Sequence, residues 1–201
     1  MKPNCAGSLV AEQMSFQIEG GGSIPTSALQ LNVKLINKET AALCYRKWHY
    51  LGEKGFIATY SFGAYYDGRI WGGLSFHPPS APETVKGIFN TTDQRGVFEI
   101  GRLAMDDLAP KNSESRFIAI AIKLLRHIET VKAIITYADT AQGHTGIIYK
   151  ASGFKYMGLT SPKKDFYVNG KIQERGKTHG VNGIWRDRPR KHLFVMELGV
   201  K

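Results

Sequence analysis

Between Val97 and Leu159 the chain passes twice from strand-like to helix-like patterning and back, and this alternation restricts it to an α/β layer. VFEIGRLAM reads as a buried strand. After a polar bend, SESRFIAIAIKLLRHIE places Phe117, Ile120, Ala121 and Leu124 at helical spacing. AIITYAD is a second strand, and HTGIIYKAS is a short helix ended by Gly153 in a left-handed cap. FKYMGL is the third strand, and HLFVMEL closes the chain as a last one. Short links between such elements imply parallel pairing in the middle of the sheet. Upstream, LQLNVKLIN alternates as a half-buried strand, with Leu31, Val33 and Leu35 on one face. Asn37 is placed to cap the helix that follows it. FIATYSFGAYY and RIWGGLSF flank Asp67-Gly68, which predicts a hairpin. Residues 78–95 hold three of the eight prolines and read as an inserted loop. Residues 1–28 read as a loosely ordered arm before a single domain over residues 29–201.

Composition narrows the function. Apolar residues make up 42% of the 201, enough for a sizeable core, which excludes a wholly disordered chain. No apolar run is long enough to span a bilayer, so no membrane role is expected. The opening MKPNCAGSLVAEQMSFQ has no continuous apolar stretch and does not read as a secretory signal. Two cysteines, Cys5 and Cys44, agree with the reducing cytoplasm. The net charge of +10 favours a polyanionic partner. Most of it is local: Pro162 to His192 carry nine Lys or Arg against three Asp or Glu. Phe166, Tyr167 and Trp185 interleave with that charge, and Val168-Asn169-Gly170-Lys171 looks like a hairpin turn. Cations beside aromatic faces suit a phosphate backbone and an unstacked base. An ordinary solvated hairpin is the alternative.

Ligands of open α/β sheets bind beyond the carboxyl ends of the strands. Two such places are visible. At the bend before the long helix stand Lys111, Asn112, Ser113 and Ser115; Asn112 or Ser113 can cap the helix, and free N–H groups there also suit an anion. At the end of AIITYAD, Asp139 either caps the next turn or takes a direct role, with His144 close behind. Tyr149, on the next helix, reads as a core residue with a satisfied hydroxyl.

The run Val97 to Leu159 resembles the core of the GNAT N-acetyltransferase fold, and GIIYKASGF is similar to that fold's helix-and-strand signature. The resemblance implies a mixed sheet flanked by helices, here with a basic hairpin inserted at 162–192 before the last strand. It also implies that Tyr149 protonates a departing thiolate. Where that superfamily has a Gly-rich pyrophosphate loop, this chain reads APKNSESRF, without glycine. A narrower resemblance fits that departure. EIGRLAMDDLAPKNSESRF, YADTAQGHTGIIYKASGF and the upstream WHY of Trp48 to Tyr50 together resemble the phage Mom family over roughly residues 30–160.

That resemblance implies a transferase that adds a carbamoylmethyl group to N6 of adenine in double-stranded DNA and so protects phage DNA from restriction. The expected compartment is then the host cytoplasm. The adenine amine is a poor nucleophile until a base removes a proton, and Asp139 or Glu99 is the expected base. Arg102 would hold an acid or a developing anion, with His49 and Tyr50 bordering the site as further catalytic candidates. Ser113, Ser115 and Asn112 would orient a small-molecule donor, acetyl-CoA or a related compound. The base must be extruded from the stack. Trp48, Tyr50 and the basic hairpin, through Lys163, Lys164, Arg186, Arg188 and Arg190, would grip it and its backbone. Because the product joins nitrogen to a methylene carbon, redox help from iron is also entertained, with His49, Tyr50, Asp139 and His144 as candidate ligands. Two rival functions remain: a conventional acetyl-CoA-dependent N-acetyltransferase of a protein or small amine, and a non-catalytic DNA-binding module on the same fold. The oligomeric state is open, a dimer included.

Overall fold

A computed structural model of the chain describes residues 22–173 and 180–199. Of the expected N-terminal arm, residues 1–21 lie outside the described residues. Ser23 donates from its backbone and its hydroxyl to Asp67. Ser27 caps a short 3-10 turn, Ala28–Gln30.

The upstream elements are β1 (Asn32–Ile36), α1 (Lys38–Trp48), β2 (Tyr60–Tyr66), β3 (Arg69–His77) and α2 (Pro82–Phe89). The central ones are β4 (Val97–Met105), α3 (Ser113–Ile128), β5 (Ala133–Asp139), α4 (Ile147–Ala151) and β6 (Lys155–Leu159). The chain ends with β7 (Lys164–Val168), β8 (Lys171–Ile172), β9 (Ile184–Asp187) and β10 (Lys191–Glu197). Seven strands form one sheet in the order β1-β2-β3-β4-β5-β10-β6, and β8-β7-β9 form a separate small sheet. Only β4 and β5 pair in parallel within the large sheet, as the short-link argument requires.

Local chemistry accounts for the joints. Asn37 accepts the Thr40 N–H and opens α1. Asp67 and Gly68 both have positive φ, at 48° and 74°, as a two-residue hairpin turn of matching twist demands. Asn169 and Gly170, at 50° and 76°, make the same turn between β7 and β8. The expected loop over residues 78–95 contains a helix. Pro82 sits at its first turn, where a missing N–H costs nothing, and Val85 is buried beneath it. Proline is a helix starter here, not a breaker.

Helix α3 buries Phe117, Ile118, Ala121, Ile122 and Leu125, so its apolar stripe is rotated from the expected one and leaves Ile120 and Leu124 at the margin. Across the sheet these residues meet Phe62, Trp71, Phe76 and Phe194. Leu35, expected on the inner face of β1, is exposed at the sheet's edge. No helix among the described residues is long and apolar enough to cross a membrane.

One irregularity creates the working surface. The β4–β5 pairing runs only from Val97↔Ala133 to Glu99↔Ile135, after which the strands separate. Just there the β3–β4 register slips between Ser75 and Phe76, leaving Gly101 as a bulge. A Cβ at Gly101 would stand 2.7 Å from His77 Nε2, so only glycine fits against that ring. Beyond Glu99 the open edge of β4 and the end of β5 diverge and leave a cleft.

Candidate active site

The cleft has a volume of about 450 Å³. β4 supplies Glu99 and Arg102, β5 ends in Asp139, and the following loop and α4 bring His144, Gly146 and Tyr149. The segment after α1 closes it with His49, Tyr50 and Leu51, and Lys191 enters from β10. The six expected catalytic residues therefore line one cavity.

Asp139 lines it from the end of β5. Its Oδ1 accepts the Ala141 N–H at 3.0 Å, capping the 3-10 turn Thr140–Gln142, and its Oδ2 accepts the Tyr50 hydroxyl at 3.2 Å. The two roles left open by the sequence coexist, because a carboxylate has about four lone-pair sites. Burial, then the Asp139 charge, pushes the Tyr50 phenol up to about 12. Tyr50 therefore remains a donor. The His49 ring stacks on Tyr50 at 4.6 Å. Burial, reinforced by Arg102 and His144, lowers His49 to about 4, so it is neutral at pH 7. Its Nδ1 accepts the Leu51 N–H at 3.1 Å, which leaves the proton on Nε2.

Glu99 is the second carboxylate. Burial raises it above the ordinary carboxylate range, while His77 and Lys191 pull the other way. That is the direction expected of a group meant to exchange protons near neutrality. Tyr149 is buried, and burial raises its hydroxyl despite the Thr136 hydroxyl beside it.

Arg102 does something the sequence reading missed. Its guanidinium donates to the carbonyls of Gly52 and Lys54, the latter at 2.8 Å, and lies over the rings of Tyr45 and Phe56. It makes no ion pair with Glu99. Two of its donors hold the segment that carries His49 and Tyr50, so Arg102 is a positioning residue. Arg102→Lys keeps the charge but loses the fork. Amide hydrogen exchange across residues 49–55 is expected to accelerate about tenfold in this variant, whereas exchange in α3 stays unchanged; equal rates in both chains would contradict the assignment.

The turn before α3 corrects a second expectation. Asn112 is left-handed, with φ 69°, and makes no side-chain cap. The Ser113 hydroxyl donates back to the Pro110 carbonyl at 2.6 Å, and that of Ser115 to the Asn112 carbonyl at 3.1 Å. Ser113 is fully buried and lines neither cavity. Asn112 and Ser115 border a groove of about 640 Å³ with Lys111, Arg116, Thr26 and Ser27.

The expected iron site is not assembled: the described residues contain no group of three or more His, Cys, Asp or Glu able to hold a metal. His49 Nδ1 is spent on a backbone N–H. Trp48 does not line the cleft; it packs beside Tyr45 and Ala104, with Lys47 over its ring. In the basic insertion, Arg188 is paired with Asp165, and Arg190 donates to the carbonyls of Thr160 and Leu159. Arg186 lies over the Tyr167 ring, Lys164 is 4.0 Å from Asp187, and Trp185 is exposed. Residues 174–179 of this insertion lie outside the described residues. His77 and Lys191 were missed because only the strand register places them, opposite Glu99 and Asp139.

A family model described as the Mom protein family matches residues 30–192. Methylcarbamoylase Mom of Escherichia phage Mu is 36% identical over 87 residues, which are 43% of this chain and 35% of that protein. The match thus spans about a third of that relative's length. The GNAT-family acetyltransferase of Streptococcus pneumoniae superposes with a TM-score of 0.50 at 11% identity, over 84% of this chain and 99% of that one. An acetyltransferase of Bacillus subtilis in complex with CoA gives 0.50 at 14% identity, over the same 84% and 99%. At such identities the likeness shows the fold: a GNAT-like mixed sheet flanked by helices.

Proposed function

The chain belongs to the Mom protein family, and from that premise we propose that it transfers a carbamoylmethyl group to N6 of adenine in DNA, shielding phage DNA from restriction. The observation that carries this reading is the cleft where β4 and β5 part. It brings a carboxylate at a strand end, a half-buried second carboxylate and two hydroxyls around a space for a base. Asp139 or Glu99 takes a proton from the amine as the new nitrogen–carbon bond forms. Tyr149, which lines the same cleft, protonates the departing group. The name of the phage Mu relative supports methylcarbamoyl transfer.

A coenzyme A-type donor is part of the proposal, because the Bacillus subtilis protein of the same fold was solved with CoA. The residues present fit such a polyanion: α3 starts without a side-chain cap, and Lys111 and Arg116 stand beside Asn112 and Ser115 on the groove. A CoA thioester activates its carbonyl carbon and alone would give an N-acetyl amine, so the carbamoylmethyl product requires a related donor in which the methylene carbon beside a preformed amide bears the leaving group; the N–C bond forms there as that group departs with a proton. Acetyl-CoA should then raise the melting temperature, as any ligand of the native state does.

DNA contact falls to the exposed cations of the insertion. Arg188 and Arg190 are engaged within the fold, so Lys163, Lys164 and Arg186 carry this role. Replacing these three by Gln should lower the slope of log K against log salt by about three. An unchanged slope would remove the insertion from the interface. For the function as a whole, plasmid from cells expressing the protein should resist restriction enzymes whose sites contain adenine and remain sensitive at sites of G and C alone. Full sensitivity at both, with folded protein present, favours the non-catalytic module.

A further inference from the structure

We propose that His49 and Asp139 together read the Watson–Crick edge of the extruded base, Asp139 accepting an exocyclic N–H and His49 Nε2–H donating to the neighbouring ring nitrogen. The inference rests on the adenine reading above and adds the source of base choice. Both residues line the cleft. Tyr50 ties them into one unit: its ring stacks on His49 at 4.6 Å and its hydroxyl reaches Asp139 at 3.2 Å. His49 turns Nδ1 to the Leu51 N–H at 3.1 Å, so Nε2–H is the donor it offers to the cleft it lines. Asp139 spends one acceptor site on Ala141 and one on Tyr50 and keeps capacity for a further N–H.

An acceptor beside a donor is complementary to adenine, whose N6 amine donates and whose N1 accepts. Guanine and thymine present the reverse order and would set acceptor against acceptor and donor against donor. Cytosine presents the same order as adenine, so this pair rejects two of the three wrong bases and leaves cytosine to the shape of the cleft. The groups around the pair are Arg102 and Glu99 from β4, Tyr50 from its own segment, His144 from the loop after β5 and Lys191 of β10, the register partner of Asp139. The same Asp139 oxygen that recognises the amine is then placed to receive its proton, which joins recognition to activation.

The test is binding by the full chain to a G·C-only duplex with one test base opposite an abasic site. The test base is adenine or 1-deaza-adenine, which has a C–H in place of N1. The wild type should bind the adenine duplex about tenfold more tightly, the value of one well-placed hydrogen bond to a base edge. His49→Phe should bind both duplexes equally, at the weaker level, and His49→Gln, which again offers an N–H, should restore part of the difference. Equal binding of both duplexes by the wild type overturns the inference while leaving the adenine reading intact. So does an undiminished preference in His49→Phe. Adenine duplex bound no better than one with an abasic residue at the test position overturns the adenine reading, and the inference with it.

Discussion

Asp139→Asn is expected to lower transfer to adenine by two to four orders of magnitude, the range that a positioned general base contributes. The substitution removes the charge and the proton-accepting capacity but keeps an oxygen for the Ala141 N–H at the start of the 3-10 turn. The melting temperature should therefore stay close to that of the wild type. Asp139→Ala loses the cap as well and should cost about 1 kcal/mol of stability. If Asp139→Asn retained transfer within threefold of the wild type, proton removal would fall to Glu99, which lines the same cleft and whose carboxyl burial raises. Glu99→Gln in the same assay then assigns the step.

The largest effect on stability is expected at Gly146. This residue has φ 71°, and a Cβ there would overlap Cε2 and Cζ of the Phe194 ring. Phe194 is fully buried and packs on Tyr149 and Tyr156, with ring centroids 5.5 and 5.2 Å away, so it has no free direction in which to retreat. Gly146→Ala combines backbone strain with overpacking and should cost about 2–4 kcal/mol. At roughly 2–4 °C per kcal/mol for a chain of this size, the melting temperature should fall by about 5–15 °C. Gly143→Ala is the matched control, because it has a similar φ of 70° but open space around its Cβ. A fall at Gly146 no larger than at Gly143 would mean that the ring contact is not what holds α4 in place.

The alternation from β4 through β6 was legible because each element changes the period of its apolar residues within a short stretch. Asp67-Gly68 and Asn169-Gly170 were legible because the turn itself demands those residue types. What could not be read was long-range pairing. β10 lies between β5 and β6, separated from β6 in sequence by the basic insertion, and no local pattern announces that order. The same holds within the site. Asp139 was visible because ligand-facing residues gather where strands end, but the role of Arg102 depends on carbonyls 48 and 50 residues away. Asn112 and Ser113 carried the right chemistry for a cap, yet Asn112 makes no side-chain cap and the Ser113 hydroxyl turns back to the Pro110 carbonyl. Trp48 shows the opposite error: an aromatic residue next to site residues packs on the fold instead, because α1 points it toward Tyr45 and Ala104.

Complete digestion of DNA from expressing cells to nucleosides, followed by exact mass measurement, bears most directly on the cleft as a site of base modification. The expected result is one new deoxyadenosine species, heavier by a single carbamoylmethyl group, present with the wild-type chain and absent with Asp139→Asn. Unmodified deoxyadenosine in the presence of folded wild-type protein, or a new mass on a different base, would contradict it.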